Sequence, residues 1–282
     1  MTVRPDFIYG AVLAAALLHA SWNALIKRSG DTLLSTIGIA ATAAAISAAL
    51  LPWLPAPQAA SWPYIATSLL LQTVYMRLLA YVYQISDMSA SYPVMRGTAP
   101  LLVTAVSLVF FHETLNPAAL AGIAAICGGI LCIGLRPART AGAGAGLRMA
   151  LLNAVVIASY TLVDGMGVRL SDAPASYTLW IFMLQGCVMT LNGWRTHPDA
   201  LPAYLRAHWR ASLAGGIGTL ASYGVALWAM TLAPIAVIAA LRETSILFGT
   251  LIAGLILRER LGTARIVGAC ILVLGAALLR LA

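Results

Sequence analysis

The chain has little charge. Only 9% of its 282 residues are Asp, Glu, Lys or Arg, against about 25% in soluble domains, which excludes an ordinary water-facing surface. Acids are the scarcer sign, 9 against 17 basic residues. The basic residues fall between apolar runs and form no patch, a pattern of membrane loops that argues against nucleic acid as a partner. Cysteine is also rare. Cys127, Cys132, Cys187 and Cys270 all lie within apolar segments, with no CxxC pair and no His/Cys cluster. That argues against a metal site or a disulfide framework and leaves them as small core residues. Hydrolase and protease signatures are missing too: there is no GxSxG, no HExxH and no paired catalytic acids, and His19 and His112 have no matched nucleophile nearby. No ring of like charge or filter-like glycine loop suggests a channel. The expectation is a non-enzymatic chain that needs no cofactor and no metal.

Apolar residues are abundant instead, 61% of the chain. About 20 apolar residues span the hydrocarbon core as a helix. Ten such segments are predicted, near 7–26, 32–54, 63–84, 89–111, 117–135, 148–168, 175–194, 210–230, 234–257 and 262–281. The first, with Arg4 ahead of it and AAALLHA inside it, imitates a signal peptide, but nine more follow and a retained helix is expected. The loose linker is RPARTAGAGAGL, residues 136–147. The stretch HPDALPAYLRAHWR, with Tyr204 and Trp209, suits a segment on the membrane surface. Trp53, Trp62 and Trp194 fall at predicted helix ends, as an aromatic belt requires.

The two sides of the linker repeat one another. Arg96 and Arg242 stand 146 positions apart, and the same offset links Glu113 to Glu259, Leu115 to Leu261, Gly122 to Gly268 and Gly129 to Gly275. Upstream, Ala20-Ser21-Trp22-Asn23 matches Ala158-Ser159-Tyr160-Thr161 at an offset of 138. Because each half carries an odd number of helices, the second enters the membrane the opposite way up. The expected fold is an all-α integral membrane protein, ten transmembrane helices as two inverted five-helix repeats over residues 1–139 and 148–282, joined by a Gly/Ala-rich linker at 140–147. Many secondary transporters build alternating access from such repeats.

The repeat endings FFHETLNPAALAGIAAICGGILCIGL and LILRERLGTARIVGACILVLGAALLRL, with the proline-bearing SYPVMRGTAP, resemble the drug/metabolite transporter superfamily, specifically its ten-helix members with two EamA-type repeats. The resemblance covers nearly the whole chain. It implies a substrate cavity between the halves, transport without ATP hydrolysis, a place in the cell inner membrane and, as in bacterial members, export of amino acids including aromatic ones. Phosphorylated or phosphonate compounds are an alternative cargo, since two arginines suit a dianion, and an intramembrane enzyme is an alternative class.

Arg96 and Arg242 are the leading candidates for the site. A guanidinium at membrane depth costs about 2.5–3.5 kcal/mol on insertion scales, so each needs a partner, a wet cavity or a ligand. Their planar forks match a carboxylate or phosphate. Glu243 follows Arg242 and points about 100° away from it around a helix. It is placed to receive a substrate ammonium, carry a proton or neutralise Arg96. A buried ion-pair network joining the halves is the structural alternative. Pro93, Pro100 and Pro234 should loosen these helices.

The first helix adds a stripe of His19, Trp22 and Asn23, and the sixth its counterpart of Tyr160, Thr161 and Asp164. These line a cavity or bond between helices; Asp164 also stands near enough to Arg169 to pair with it. Tyr75 is placed to stack on a substrate side chain or to pack, whereas Arg77 snorkels. Glu113 and Glu259 are assigned a structural role, accepting backbone N–H groups at a helix start, with Asn116 and Pro117 fitting N-cap and first-turn positions. Gly122, Ala125 and Gly129 form a small-residue face that packs within the chain or dimerises it. The expected partners are a small-molecule substrate and membrane lipid, with a monomer favoured.

Loop charge gives an orientation. The face carrying both termini holds Arg4, Arg169 and Arg280, and the opposite face holds eleven basic residues, so that face is expected in the cytoplasm. Ten-helix members of the superfamily are described the other way, with both termini cytoplasmic.

Overall fold

The computed structural model describes residues 4–27, 31–86, 88–134, 143–252, 254 and 262–281. Helices account for nearly all of it: α1 (Pro5–Lys27), α2 (Thr32–Leu50), α3 (Trp62–Ile85), α4 (Met88–Phe110), α5 (Pro117–Gly134), α6 (Ala143–Leu170), α7 (Pro174–Thr196), α8 (Ala200–Met230), α9 (Ile235–Arg242), α10 (Ser245–Leu251) and α11 (Thr263–Arg280). Among the described residues seven helices are long and apolar enough to cross a membrane, α2, α3, α4, α5, α6, α8 and α11. The outer faces confirm what solvent the fold expects. Leu70, Val109, Phe110, Leu191, Val273 and Leu274 are each more than half exposed, too much apolar surface for water and the natural complement of lipid tails.

Two helices begin earlier than predicted, and each difference has a local cause. α6 begins at Ala143, inside the predicted linker, because Ala-Gly-Ala-Gly-Leu continues a helix once Gly146 packs on Ser86. α8 begins at Ala200, so the stretch expected on the membrane surface is the leading part of a helix with a kink at His208 (φ −120°, ψ 24°). Its Leu201 and Tyr204 are buried against Leu34 and Ile37 of α2, and the His208 ring stacks on Tyr204 at 4.3 Å. Trp209 stays exposed. The predicted start of α5 holds. Asn116 Oδ1 accepts from Ala119 N at 2.8 Å ahead of Pro117, which caps α5, and Asp31 caps α2 through Leu34 N at 2.9 Å.

α5 and α11, the matching last helices of the two repeats, pack on each other through glycine. A Cβ on Gly122 would lie 2.9 Å from Gly275 O, and one on Gly129 would lie 2.8 Å from Gly268 O. These positions are glycine because the backbones touch. The pairing is reciprocal: Gly122 meets the counterpart of Gly129, and Gly129 meets the counterpart of Gly122. Such an exchange is what a twofold relation produces, and since the numbers rise along one helix as they fall along the other, the helices run antiparallel. The small-residue face therefore packs inside one chain. The other contacts follow the same rule: α2 packs on α7, α3 on α6 as α8 on α1, and α4 on α6 as α9 and α10 on α1.

At the centre lies α9. Its residues Ile235 to Leu241 are at most 5% exposed, a helix apolar on every side and surrounded on every side by α1, α4, α5, α6 and α8. It then breaks. Glu243 N donates to Ala240 O at 3.0 Å and Thr244 N to Leu241 O at 3.2 Å, bonds three residues back that tighten the backbone into a 3₁₀ turn before α10 resumes at Ser245. The predicted single ninth helix is thus two, joined at the residue next to Arg242.

Candidate functional site

The break puts charge in the middle of the protein. Arg96 Nε lies 2.8 Å from Glu243 Oε2, with side chains 11% and 7% exposed. Arg96 comes from α4 and Glu243 from the α9–α10 turn, so the pair joins one repeat to the other. Distance is right for an ion pair, but alignment is not right for a hydrogen bond. These two atoms are buried without a geometrically satisfied hydrogen-bond partner, so their contact is chiefly one of charge. Pro100 adds polarity here, since its missing N–H leaves the Arg96 carbonyl without its usual helical donor. α4 nevertheless runs unbroken through Pro93 and Pro100; the helix that breaks is the one with no internal proline.

Arg242 takes a different partner. Its Cζ sits 4.6 Å above the Tyr223 ring, a cation–π contact, and Tyr223 Oη donates to Asp164 Oδ2 at 2.5 Å. Asp164 is fully buried. Gln72 Nε2 and Tyr177 Oη approach its two oxygens at 3.4 Å each. Asp164 does not pair with Arg169, which turns away to another site. Arg96, Arg242, His19, Ala15, Ala16 and Ser222 line a small cavity of about 10 Å³, room for about one water.

The other sequence candidates divide. His19 lines the cavity, and Trp22 meets its ring edge-on at 5.1 Å with a buried indole N–H that has no partner. Tyr160 and Tyr75 pair at 5.7 Å in the cluster that holds Met95, beside Arg96. Two residues are not brought in. Asn23 is exposed and donates to its own helix at His19 O, 2.8 Å. Thr161 is buried but donates to Ile157 O at 2.8 Å, which spends its hydroxyl on its own helix. Tyr223, Ser222 and Tyr177 complete the site and were not singled out as its members; Gln72, on the Tyr75 side of α3, joins them. A tyrosine inside the apolar eighth segment was the one signal, since a buried phenol needs a partner, but the sequence does not name that partner.

Glu113 is structural in an unexpected place. Its Oε1 accepts from Ile235 N at 3.0 Å, the first turn of α9, and from Arg169 Nη2 at 3.0 Å. It therefore serves a helix start in the opposite repeat, while Asn116 serves α5. Arg169 also donates to Met230 O at 2.7 Å and Ala233 O at 3.0 Å. Glu259 lies outside the described residues. Among the described residues no three His, Cys, Asp or Glu side chains gather as a metal site would require.

Fold and site together define a multi-pass membrane protein in which two oppositely inserted sets of helices meet at a buried ionic cluster beside a broken helix. Residues 144–281 match the model of the EamA-like transporter family, so this part of the chain is a domain of that family, which indicates a membrane transporter of small molecules. A solved structure described only as a crystal structure of protein is similar over 96% of this chain and 94% of its own, with a TM-score of 0.72 at 18% identity, a likeness of fold. No curated protein matches the sequence.

Proposed function

We propose that this transporter exports small zwitterionic metabolites, amino acids above all, across the cell inner membrane by alternating access between its two repeats. One observation carries the reading: an arginine from one repeat and an acid from the other meet at 2.8 Å in the core without a satisfied hydrogen bond. A zwitterion replaces such a pair without stranding a charge. Its carboxylate takes Arg96 and Arg242, and its ammonium takes Glu243. A phosphorylated or phosphonate dianion would meet the same two arginines but would bring its charge against Glu243, a repulsion the zwitterion avoids. Tyr75, Tyr160, Trp22 and His19 supply an aromatic surround for an apolar or aromatic side chain.

The route to the site supports outward movement. Along α1, Val12, Ala15 and Ala16 are buried, His19 and Trp22 are half-buried, and Asn23 is exposed. Along this stripe exposure rises toward the C-terminal part of α1, which we take as the looser end. Loop charge assigns that looser end to the cytoplasm, so cargo loads from inside. A reporter fused after Ala282 should then behave as periplasmic; cytoplasmic behaviour overturns the orientation. The cargo reading is tested by purified protein in liposomes, assayed for counterflow of amino acids, organic acids and phosphonates. Amino acids should exchange. Exchange of phosphonates alone, or of nothing, contradicts it.

A further inference from the structure

We propose that Asp164 is a proton-binding site coupled to the substrate site through Tyr223. This rests on the reading of Arg242 as a carboxylate anchor. The ground is the kind of partner each buried acid has. Glu113 is held by a guanidinium and a backbone N–H, and Glu243 by a guanidinium. Those groups donate only, so neither offers an acceptor to a proton on the oxygen it holds. Asp164 is held by two phenols and an amide, Tyr223, Tyr177 and Gln72, with the Ser68 hydroxyl also facing it. Every one of these carries an acceptor as well as a donor. When Asp164 gains a proton it becomes a donor, and a phenol rotates or the amide turns over to accept. The constellation suits both protonation states.

Among the described residues no Lys, Arg or His stands within ion-pair distance of Asp164. The titratable and charged groups that face it are Tyr160 on its own helix, Tyr177 of α7, Tyr223 of α8 and Arg242 of α9, while α3 contributes the neutral Gln72 and Ser68. A buried carboxylate whose hydrogen bonds all come from neutral groups is the kind that takes up a proton. Tyr223 transmits the change, because its oxygen holds Asp164 and its ring face holds Arg242. With Asp164 ionised, the bridged anion offsets part of the Arg242 charge. With Asp164 neutral, that charge is free for a substrate carboxylate. Proton and carboxylate therefore favour each other, and by linkage each raises the affinity of the other equally. Affinity rises as pH falls through the titration of Asp164.

Infrared difference spectroscopy on the protein in liposomes reads the acid directly. The wild type should show a protonated-carboxyl band that titrates with pH, vanishes in Asp164→Asn and moves in Asp164→Glu. The two variants cover each other should one fail to fold. A spectrum with no titrating band, or one that both variants leave unaltered, overturns the site. Adding L-phenylalanine should strengthen the band in the wild type and leave it unchanged in Tyr223→Phe, which keeps the ring for Arg242 and loses only the hydroxyl. An equal response in Tyr223→Phe overturns the coupling. Failure of L-phenylalanine and of every other amino acid to bind at any pH counts against the amino acid reading, and the band alone still decides the proton site.

Discussion

α4 and the α9–α10 pair occupy matching places in the two repeats, and they solve the same problem differently. α4 holds Pro93 and Pro100 yet stays one helix. The other lacks an internal proline and breaks at Glu243–Thr244. The residue matching Glu243 in the first repeat is Gly97, at the 146-residue offset, where a Cβ would already press on Leu131 and Cys127 O at 3.0–3.2 Å. One repeat uses the position after its arginine for close packing on α5, the other for an acid that crosses to the partner arginine. Shared ancestry of sequence supplies the frame, and the differences within it make the site polar in an asymmetric way.

The largest effect expected from that asymmetry is on stability. Arg96→Ala strands buried Glu243 and should cost about 3–5 kcal/mol, partly recovered by adding Glu243→Gln. Arg242→Ala removes a cation–π contact, worth about 0.5–2 kcal/mol, and should melt closer to wild type. Thermal melts on the four proteins decide; equal losses for the two arginines would erase the contrast.

Transport should separate charge from shape. Arg96→Lys and Arg242→Lys keep the charge and lose the fork, so apparent affinity should fall roughly ten- to a hundredfold, about 1.5–3 kcal/mol, with both proteins still folded. Unchanged counterflow in both removes the arginines from the substrate site.

The glycine contact between α5 and α11 sharpens the symmetric side of the comparison. Gly129→Ala drives a methyl onto backbone at Gly268 and Leu272, whereas Gly128 faces open space. The first should cost about 1–3 kcal/mol by overpacking, and Gly128→Ala should cost nothing. The smallest effect is local: Asn116→Ala should remove the α5 cap for about 1 kcal/mol, seen as a lower melting temperature with counterflow intact.

Much of this was legible beforehand. The 146-residue offset marked Arg96, Arg242 and the four glycines, and Asn116-Pro117 marked a helix start, because each signal is local or repeats. The break at Glu243 was hidden, since no proline or glycine announces it and the turn arises from backbone bonds at the centre of the fold. Glu113 was read as structural, but its target, Ile235, is 122 positions away. Tyr223 and Asp164 were likewise separate polar residues until α6 and α8 packed. Asn23 and Thr161 looked like cavity residues by spacing, and each turned its side chain back to its own helix, an option that periodicity does not distinguish.

The central claim is that a zwitterion exchanges for the Arg96–Glu243 pair, and competition in counterflow tests it most directly. The amino acid that exchanges best is challenged with its deaminated and decarboxylated analogues, which keep the side chain and one charge each. The amino acid should compete strongly and both analogues weakly, because each leaves Glu243 or Arg96 unpaired in the core. Competition by either analogue as strong as that of the amino acid would contradict the claim.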